Sequence, residues 1–174
     1  MKEKDTKSGM GWSMLIAMWV LIFLMLGWFF NKVLNQQRNP NQSVISQHLS
    51  DATIEVKLQR NRFGHYVTNG QINDTEVEFI LDTGATGVVI PEQVAKQLKL
   101  NKGRAVTVHT ANGRIQAFMS SLSQVAIGEI KLNDVKAMIN PAEKSDVILL
   151  GMSFLKHIEF TQRGDTLVLR KYKN

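Results

Sequence analysis

An uncharged segment near the N-terminus constrains this chain more than any other feature of its sequence. Residues Met10 to Phe30 contain no Asp, Glu, Lys or Arg over 21 positions. A helix of that length rises roughly 30 Å, which is enough to cross the hydrocarbon core of a bilayer. A helix that is apolar on every face has no place in the core of a domain this small. The sequence therefore predicts one transmembrane helix over residues 10–30.

The residues that flank this segment favour an uncleaved anchor over a signal peptide. A signal peptide usually has a shorter apolar core and an Ala-x-Ala-like cleavage site, whereas Trp28-Phe29-Phe30-Asn31-Lys32 follows here. Three lysines precede the helix, while one lysine and one arginine follow it. The positive-inside bias places residues 1–9 in the cytoplasm and the C-terminal part on the other side. We expect a single-pass protein of a bacterial inner membrane, with its domain in the periplasm.

Composition limits what the remainder of the chain can be. Polar residues over 31–50 predict a linker, and residues 51–174 predict a single domain. The absence of cysteine excludes disulfides, thiolate metal sites and cysteine nucleophiles. The formal charge of +6 comes from dispersed basic residues without interleaved aromatic residues. Nucleic acid is therefore not an expected partner.

Short apolar or alternating runs, separated by turn residues, predict strands throughout the domain. Asn112-Gly113 between two such runs is a strong signal for a tight β-hairpin. Residues 91–100 carry a helical pattern that opens with Pro91. This pattern of short strands separated by turns predicts an all-β barrel or sandwich with one or two short helices. The predicted strands are Thr53–Leu58, Val77–Leu81, Arg104–Thr110, Ile115–Ser120, Leu122–Ile127, Ile130–Ile139, Asp146–Leu150, Ile158–Thr161 and Thr166–Arg170.

The sharpest chemical signal is an acid at the end of an apolar strand. Phe79-Ile80-Leu81 runs directly into Asp82-Thr83-Gly84. An unpaired charge buried there would cost on the order of several kcal/mol, so Asp82 must lie near water, be paired or be protonated. Gly84 lets the backbone turn sharply, and Thr83 offers a donor and an acceptor. A plain β-turn would explain the same three residues, so the motif alone is only suggestive.

A second string far along the chain, Leu149-Leu150-Gly151, makes the pattern specific. Together with Ile80-Leu81-Asp82-Thr83-Gly84-Ala85 and the Asn112-Gly113 hairpin, it resembles the retropepsins and their bacterial membrane-anchored relatives. These form the single-domain branch of the pepsin-like aspartic peptidases, clan AA. The resemblance covers about residues 52–174. It implies a closed β-barrel that is half of a pepsin-type fold, preceded here by the transmembrane helix.

The resemblance also implies a role for each matched residue. Asp82 would be the catalytic acid, Thr83 would bond across a subunit interface, and Gly84 would let two such loops approach closely. The strand that ends at Gly151 would pass behind the catalytic loop and support it. Asn112 and Gly113 would form the tip of a flap over the substrate. The other expected substrate-binding positions are Ala85, Ala111 and Leu150.

Only one Asp-Thr-Gly occurs in the chain, so the second acid of such a site must come from a second copy in a homodimer. The predicted function is that of a membrane-anchored aspartic endopeptidase. It would hydrolyse a peptide or protein substrate with a water activated by two Asp82 carboxylates, without a metal or cofactor. A non-catalytic alternative stays open, because the same fold can serve as a dimerisation or peptide-binding module held at the membrane.

Other hydrolytic chemistries fit the sequence poorly. Gly151-Met152-Ser153-Phe154-Leu155 lacks the final glycine of a serine nucleophile elbow. The four histidines are scattered and form no His-x-x-x-His pair, so a zinc hydrolase is not expected.

Overall fold

The structure, a computed structural model, describes residues 8–50, 52–110 and 113–172. The chain divides into two compact units, Met1–Gln37 and Arg38–Asn174. The described helices are α1 Ser8–Arg38, α2 Glu92–Gln97 and α3 Met152–Leu155. The described strands are β1 Ser46–Ser50, β2 Thr53–Gln59, β3 Val67–Ile72, β4 Thr75–Leu81, β5 Val88–Pro91, β6 Ala105–Thr110, β7 Gly113–Ile127, β8 Ile130–Asn140, β9 Ile148–Leu150, β10 Glu159–Arg163 and β11 Thr166–Tyr172.

The described part of the N-terminal unit, residues 8–37, lies within one long apolar helix. α1 has 31 residues, and its most apolar window has a mean hydropathy of 2.3 with no buried residue. By length and composition it is able to cross a membrane. The helix contains the span expected at residues 10–30 and continues to Arg38. Residues 31–38 contain neither glycine nor proline, and Pro40 follows shortly after the helix ends.

Seven strands form the larger sheet of the second unit, and six of them close into a barrel. Their order is β3-β4-β9-β5-β8-β7-β6, and β3 also pairs with β7 at Gln71↔Ala126 and Ile72↔Val125. This extra pairing closes six of the strands into a ring and leaves β6 to extend outward from β7. The closed, mostly β fold with two short helices confirms the predicted fold class. The large side chains that fill the core include Phe79, Ile90, Leu122, Ile139, Ile148 and Phe154, all fully buried.

A separate four-stranded antiparallel sheet has the order β1-β2-β11-β10. Its middle strands β2 and β11 pair over seven residues each, from Thr53↔Tyr172 to Gln59↔Thr166. Val56, Leu58 and Leu169 on these strands are fully buried. The two outer strands, β1 and β10, each have a partner on one side within this sheet.

Several elements differ from those predicted by the sequence. β3 and β5 were not predicted, because polar Thr-Asn-Gly-Gln in β3 and the shortness of β5 hide their strand character. In β3, a side chain at Gly70 would collide with the Phe79 ring and the carbonyl oxygen of Ala126. β7 is one continuous strand where two were expected. α2 is shorter than residues 91–100, and Lys99 adopts a positive φ of 54° just after it.

The segment expected to be a polar linker over residues 31–50 is structured from its start, because α1 runs on to Arg38. Asn39 and Asn41 are buried, with 2% and 6% exposure. The Asn41 side chain donates to the carbonyl oxygens of Gln59 and Val67, and it accepts from the Gln59 amide. β1 then pairs with β2. Asn41 thus bonds the backbone of the domain, and the second unit includes this segment from Arg38 onward.

Glu55 is a buried carboxylate that holds the four-stranded sheet through cross-strand charge pairing. Its side chain is 3% exposed, and it accepts a 2.7 Å hydrogen bond from Arg170 Nε on β11 and lies 3.2 Å from Lys57 Nζ. The hydrogen bond from Arg170 lowers the pKa of Glu55, against the opposing effect of burial and with the help of Lys57. Glu55 is therefore ionised and paired in the folded protein.

We expect Glu55→Gln to lower the free energy of unfolding by about 2 kcal/mol near neutral pH, the scale of a charged hydrogen bond. The folded pKa lies below the ordinary value of 4.5. The contribution is therefore present above pH 4.5 and is lost as the pH falls through the folded pKa. Denaturant unfolding from pH 7 to pH 3 should show the difference between wild type and Glu55→Gln shrinking below pH 4.5. A difference that grows on acidification contradicts this assignment.

The matched control is Glu129→Gln. Glu129 contacts His48, but both side chains are about half exposed. Its replacement should leave the unfolding free energy within about 0.5 kcal/mol of wild type.

Candidate active site

The Asp82 loop begins where β4 ends, and β9 fixes its position. β4 and β9 run parallel, with Leu81 opposite Leu150. The Asp82 amide then donates to the carbonyl oxygen of Leu150 over 3.1 Å. The pairing of β4 with β9 therefore determines the position at which Asp82 follows the sheet.

A tight turn follows Asp82 and presents the motif to solvent. The Gly84 amide donates to Asp82 Oδ1 over 2.8 Å, and the Ala85 amide donates to the Asp82 carbonyl oxygen over 3.3 Å. Asp82 and Ala85 are half-buried, while Thr83 and Gly84 are exposed. The Asp82 carboxylate is thus oriented by the turn and still reachable from solvent.

Gly151 supports this loop from behind, as the sequence predicts. The Met152 amide donates to the Ala85 carbonyl oxygen over 2.8 Å. A Cβ atom at Gly151 would lie 2.5 Å from the Ala85 carbonyl oxygen and closer still to that of Gly87. Glycine is required here because the carbonyl groups of Ala85 and Gly87 occupy the space that a side chain would need.

Ser153, whose role no sequence motif indicates, also connects the loop to the barrel. Its hydroxyl accepts from the Val88 amide over 3.0 Å and donates to the Lys136 carbonyl oxygen over 2.8 Å. These bonds connect α3 with β5 and β8. A hydroxyl used in this way holds structure, which agrees with the absence of a serine nucleophile elbow.

A pocket of about 350 Å³ opens beside Asp82. Asp82 is the only carboxylate among its described lining residues. The Tyr66 hydroxyl is buried and has no hydrogen-bond partner within the described part of the chain. Phe160 is 38% exposed, so the apolar wall of the pocket is not fully covered. The pocket is lined by Tyr66, Leu81, Asp82, Thr83, Leu155, Phe160, Gln162 and Leu167.

Leu150 does not lie where the substrate-binding prediction needs it. Its side chain is fully buried in the core, because alternate residues of β9 face the barrel interior. An apolar strand conceals which of its residues face inward, so the sequence could not separate Leu150 from Leu149, which is partly exposed. Leu150 supports the Asp82 loop through its carbonyl oxygen instead.

The predicted hairpin forms from β6 and β7. Their pairing runs from Ala105↔Phe118 to Thr110↔Gly113. Gly113 has a positive φ of 110°, which suits glycine at the end of a tight turn. Ala111 and Asn112, the other two expected flap residues, lie outside the described residues. Their roles and that of Gly113 in substrate binding stay predictions.

Metal chemistry finds no support in the described side chains. Residues 8–50, 52–110 and 113–172 contain no group of three or more His, Cys, Asp or Glu residues that could hold a metal ion.

A closed barrel with an Asp-Thr-Gly loop that rests on a later glycine defines one class of fold, the single-domain half of a pepsin-type protease. A family model described as "gag-polyprotein putative aspartyl protease" matches residues 68–157. The chain belongs to this aspartyl protease family, and its fold is retropepsin-like.

The chain is also similar to individual proteins. An uncharacterized protein in the cobV 5′ region of Sinorhizobium sp. is 37% identical over 125 residues, covering 70% of this chain and 54% of that protein. The chain thus spans little more than half the length of that relative. Uncharacterized protein RP867 of Rickettsia prowazekii (strain Madrid E) is 30% identical over 162 residues, covering 88% and 69%. The crystal structure of a retropepsin-like aspartic protease from Rickettsia conorii is similar with a TM-score of 0.58 and 25% identity, covering 74% and 94%.

We expect Gly151→Ala to displace the Asp82 loop, because the new methyl group would meet two backbone oxygens that cannot move independently. The free energy of unfolding should fall by about 1–3 kcal/mol, the usual cost of overpacking. Gly87→Ala is the matched control. A Cβ atom there meets no heavy atom closer than 3.7 Å and should be tolerated. Denaturant unfolding of both variants measures the difference, and equal stability of the two would contradict the proposed support.

Proposed function

We propose that this chain is a membrane-anchored aspartic endopeptidase whose active site forms from two Asp82 residues across a homodimer. The observation that supports the proposal is that one chain supplies a single carboxylate, that of Asp82, to the pocket. The structure gives Asp82 an oriented, solvent-reachable carboxylate beside a pocket with no second carboxylate among its described lining residues. The chain belongs to an aspartyl protease family and has one Asp-Thr-Gly, so a pair of catalytic acids would need a second copy.

The chemistry of such a pair follows from the closeness of two carboxyl groups. Two carboxyls about 3 Å apart share one proton, because both cannot ionise at that distance. The ionised member takes a proton from water, and the protonated member polarises the peptide carbonyl. The two pKa values then belong to the pair and not to either residue.

The neighbouring residues would complete this site. Thr83 is exposed, and its hydroxyl has no partner among the described residues, so it is free to bond across the two-fold axis. Gly84 is equally exposed, and it would let the two loops approach. Ala85 and the flap residues, Gly113 with the 111–112 turn, would contact the peptide backbone.

The apolar helix would place this enzyme at a membrane. Residues 1–9 would form a cytoplasmic tail and the helix over residues 10–30 would cross the bacterial inner membrane. The peptidase domain would then work in the periplasm on peptides or proteins. A reporter fused at the C-terminus, active only on one side of the membrane, tests this orientation directly.

Asp82→Asn should abolish cleavage of a peptide library by the full chain in detergent, at every pH from 4 to 7. Asparagine keeps the size of the side chain and its ability to accept the Gly84 N–H bond, but it cannot take the proton from water. The dimer and the unfolding free energy should stay near wild type.

Asp134→Asn supplies the matched control. Asp134 is an exposed residue of β8 with a positive φ of 53°, a conformation that asparagine also tolerates. It should cleave like wild type. If wild type and Asp82→Asn behave alike in every assay, the chain is the non-catalytic module of the same fold.

Thr83→Val should weaken the dimer without weakening the protomer. Valine has nearly the same shape as threonine, and the described residues offer the Thr83 hydroxyl no bond to lose. Loss of one hydrogen bond per chain across the interface predicts an increase of about tenfold or more in the dimer dissociation constant. Sedimentation of the full chain in detergent measures it, and Thr83→Ser should restore the wild-type value. An unchanged dimer with a less stable protomer would assign Thr83 to the fold alone.

A further inference from the structure

A second pocket, of about 270 Å³, begins a few residues after Asp82 in the same loop. Thr86 and Gly87 of the loop line it, together with Met119 on β7 and Met138 on β8. It shares no lining residue with the pocket beside Asp82. β7 is the second strand of the hairpin that is expected to form the flap. The pocket therefore lies where the loop, the flap strand and β8 come together.

Two lysines also line this pocket, Lys136 on β8 and Lys156 at the end of α3, and we call it the lysine pocket. Both side chains are exposed. Neither ammonium group has an ion-pair partner among the residues that the structure describes, and no Asp or Glu is found among the described lining residues. The pocket thus carries two positive charges that the described part of the chain does not neutralise.

Hydrogen bonds of the backbone hold both lysines in place relative to the loop. The Lys136 carbonyl oxygen accepts a 2.8 Å hydrogen bond from the Ser153 hydroxyl in α3. The Lys156 amide donates to the Met152 carbonyl oxygen over 3.2 Å, and the Met152 amide donates to that of Ala85. The contacts that position the loop after Asp82 therefore also position the two lysines.

The rest of the lining suits an aliphatic chain. Met119, Met138 and Met152 are all half-buried. Thioether side chains are unbranched and flexible, so they pack against aliphatic groups of varied shape. A glutamate side chain combines two methylene groups with a carboxylate, which matches an apolar lining beside two ammonium groups. A basic side chain would instead be repelled by both lysines.

The lysine pocket lies within reach of a peptide bound at Asp82. Four residues of fully extended chain span at most about 14 Å, so Thr86 is no farther than that from Asp82. An extended peptide covers the same distance with about four residues. Its successive side chains point to opposite sides, so the pocket receives one position of the peptide and not its neighbours.

We propose that Lys136 and Lys156 select the substrate by binding the carboxylate of a glutamate or aspartate within about four residues of the cleaved bond. The substrate class is therefore a peptide with an acidic residue at one fixed position. The proposal rests on the proposed endopeptidase function, because it names the peptides that this enzyme prefers.

Matched peptides test the preference. A peptide that the full chain cleaves in detergent is resynthesised with Glu, Gln or Lys at each position on either side of the cleaved bond. The kcat/KM is measured at about pH 6, where a glutamate side chain is ionised. At one position the Glu peptide should be cleaved at least about tenfold more efficiently than the Lys peptide, with the Gln peptide between them.

The dependence on position separates the pocket from a general attraction. The chain has a formal charge of +6, which favours acidic peptides wherever the acid stands. An equal preference for Glu at every position would overturn the proposal, as would no preference at any position.

Charge reversal in the enzyme assigns the preference to the two lysines. The double variant Lys136→Glu/Lys156→Glu should make the Lys peptide the better substrate at the same position. Lys136→Gln/Lys156→Gln should abolish the preference without reversing it. An unchanged preference in either double variant would overturn the proposal.

Lys131→Glu is the matched control for the single variant Lys136→Glu. Both lysines are exposed residues of β8, but Lys131 does not line the pocket. The two variants make the same change in net charge. Lys136→Glu should lower the ratio of Glu to Lys peptide cleavage, while Lys131→Glu should keep the wild-type ratio. Equal effects of the two would count against the pocket.

Peptide binding separates this proposal from the proposed function. Fluorescently labelled Glu and Lys peptides are titrated with Asp82→Asn, and their dissociation constants should show the same order of preference. An active wild type without position-specific selection overturns the lysine pocket and leaves the enzyme intact. Wild type that cleaves no peptide overturns the proposed function. In that case, binding of labelled library peptides with Glu or Lys at a single position still shows whether an acid is selected.

Discussion

The backbone contact between Gly151 and the loop after Asp82 is the interaction on which the rest of the site depends. The loop has little else to hold it, since its own side chains are mostly short and its tip is exposed. Its position comes from the Asp82 amide on Leu150, the Met152 amide on Ala85 and the missing side chain at Gly151. These bonds require β9 to run parallel to β4, so that both strands end at the same place. The barrel thus places β9 beside β4, so that Gly151 lies behind the Asp82 loop.

The two sheets of the domain differ in how their edge strands are paired. In the larger sheet, β3 pairs with β7 and closes the ring, so β3 does not leave a free edge at this pairing. In the four-stranded sheet, no strand of the described residues pairs with the outer edge of β10, whose Phe160 and Gln162 line the pocket beside Asp82.

The sequence predicts those features whose chemistry is local. The apolar helix, the Asn112-Gly113 hairpin and the Asp82 turn each depend on residues that are adjacent in the chain. Gly151 belongs to a family pattern in the sequence, and the backbone oxygens of Ala85 and Gly87 that surround it supply the physical reason for a glycine there. Tyr66 and Phe160 gave no signal, because they reach Asp82 only through the pairing of distant strands.

Side-chain polarity led to two predictions that differ from the structure, one for polar and one for apolar residues. Asn39 and Asn41 lie in the segment that the sequence predicts to be a polar linker, yet both are buried. Asn41 bonds the backbone of the domain, and the Asn39 amide donates to the side chains of Asn69 and Glu78. Leu150 was read as a substrate contact, yet it faces the core. In both cases the side chain's chemistry was clear and its direction was set by tertiary structure.

The central claim is that one active site uses Asp82 from two chains, and subunit mixing tests it most directly. Wild type and Asp82→Asn are mixed in equal amounts at a total concentration that keeps both dimeric, and peptide cleavage is measured after the subunits have exchanged. Random pairing leaves about one quarter of the dimers with two aspartates, so activity should fall to about one quarter of that of wild type at the same total concentration. Activity of about one half would mean that each chain works alone, and it would contradict the shared site.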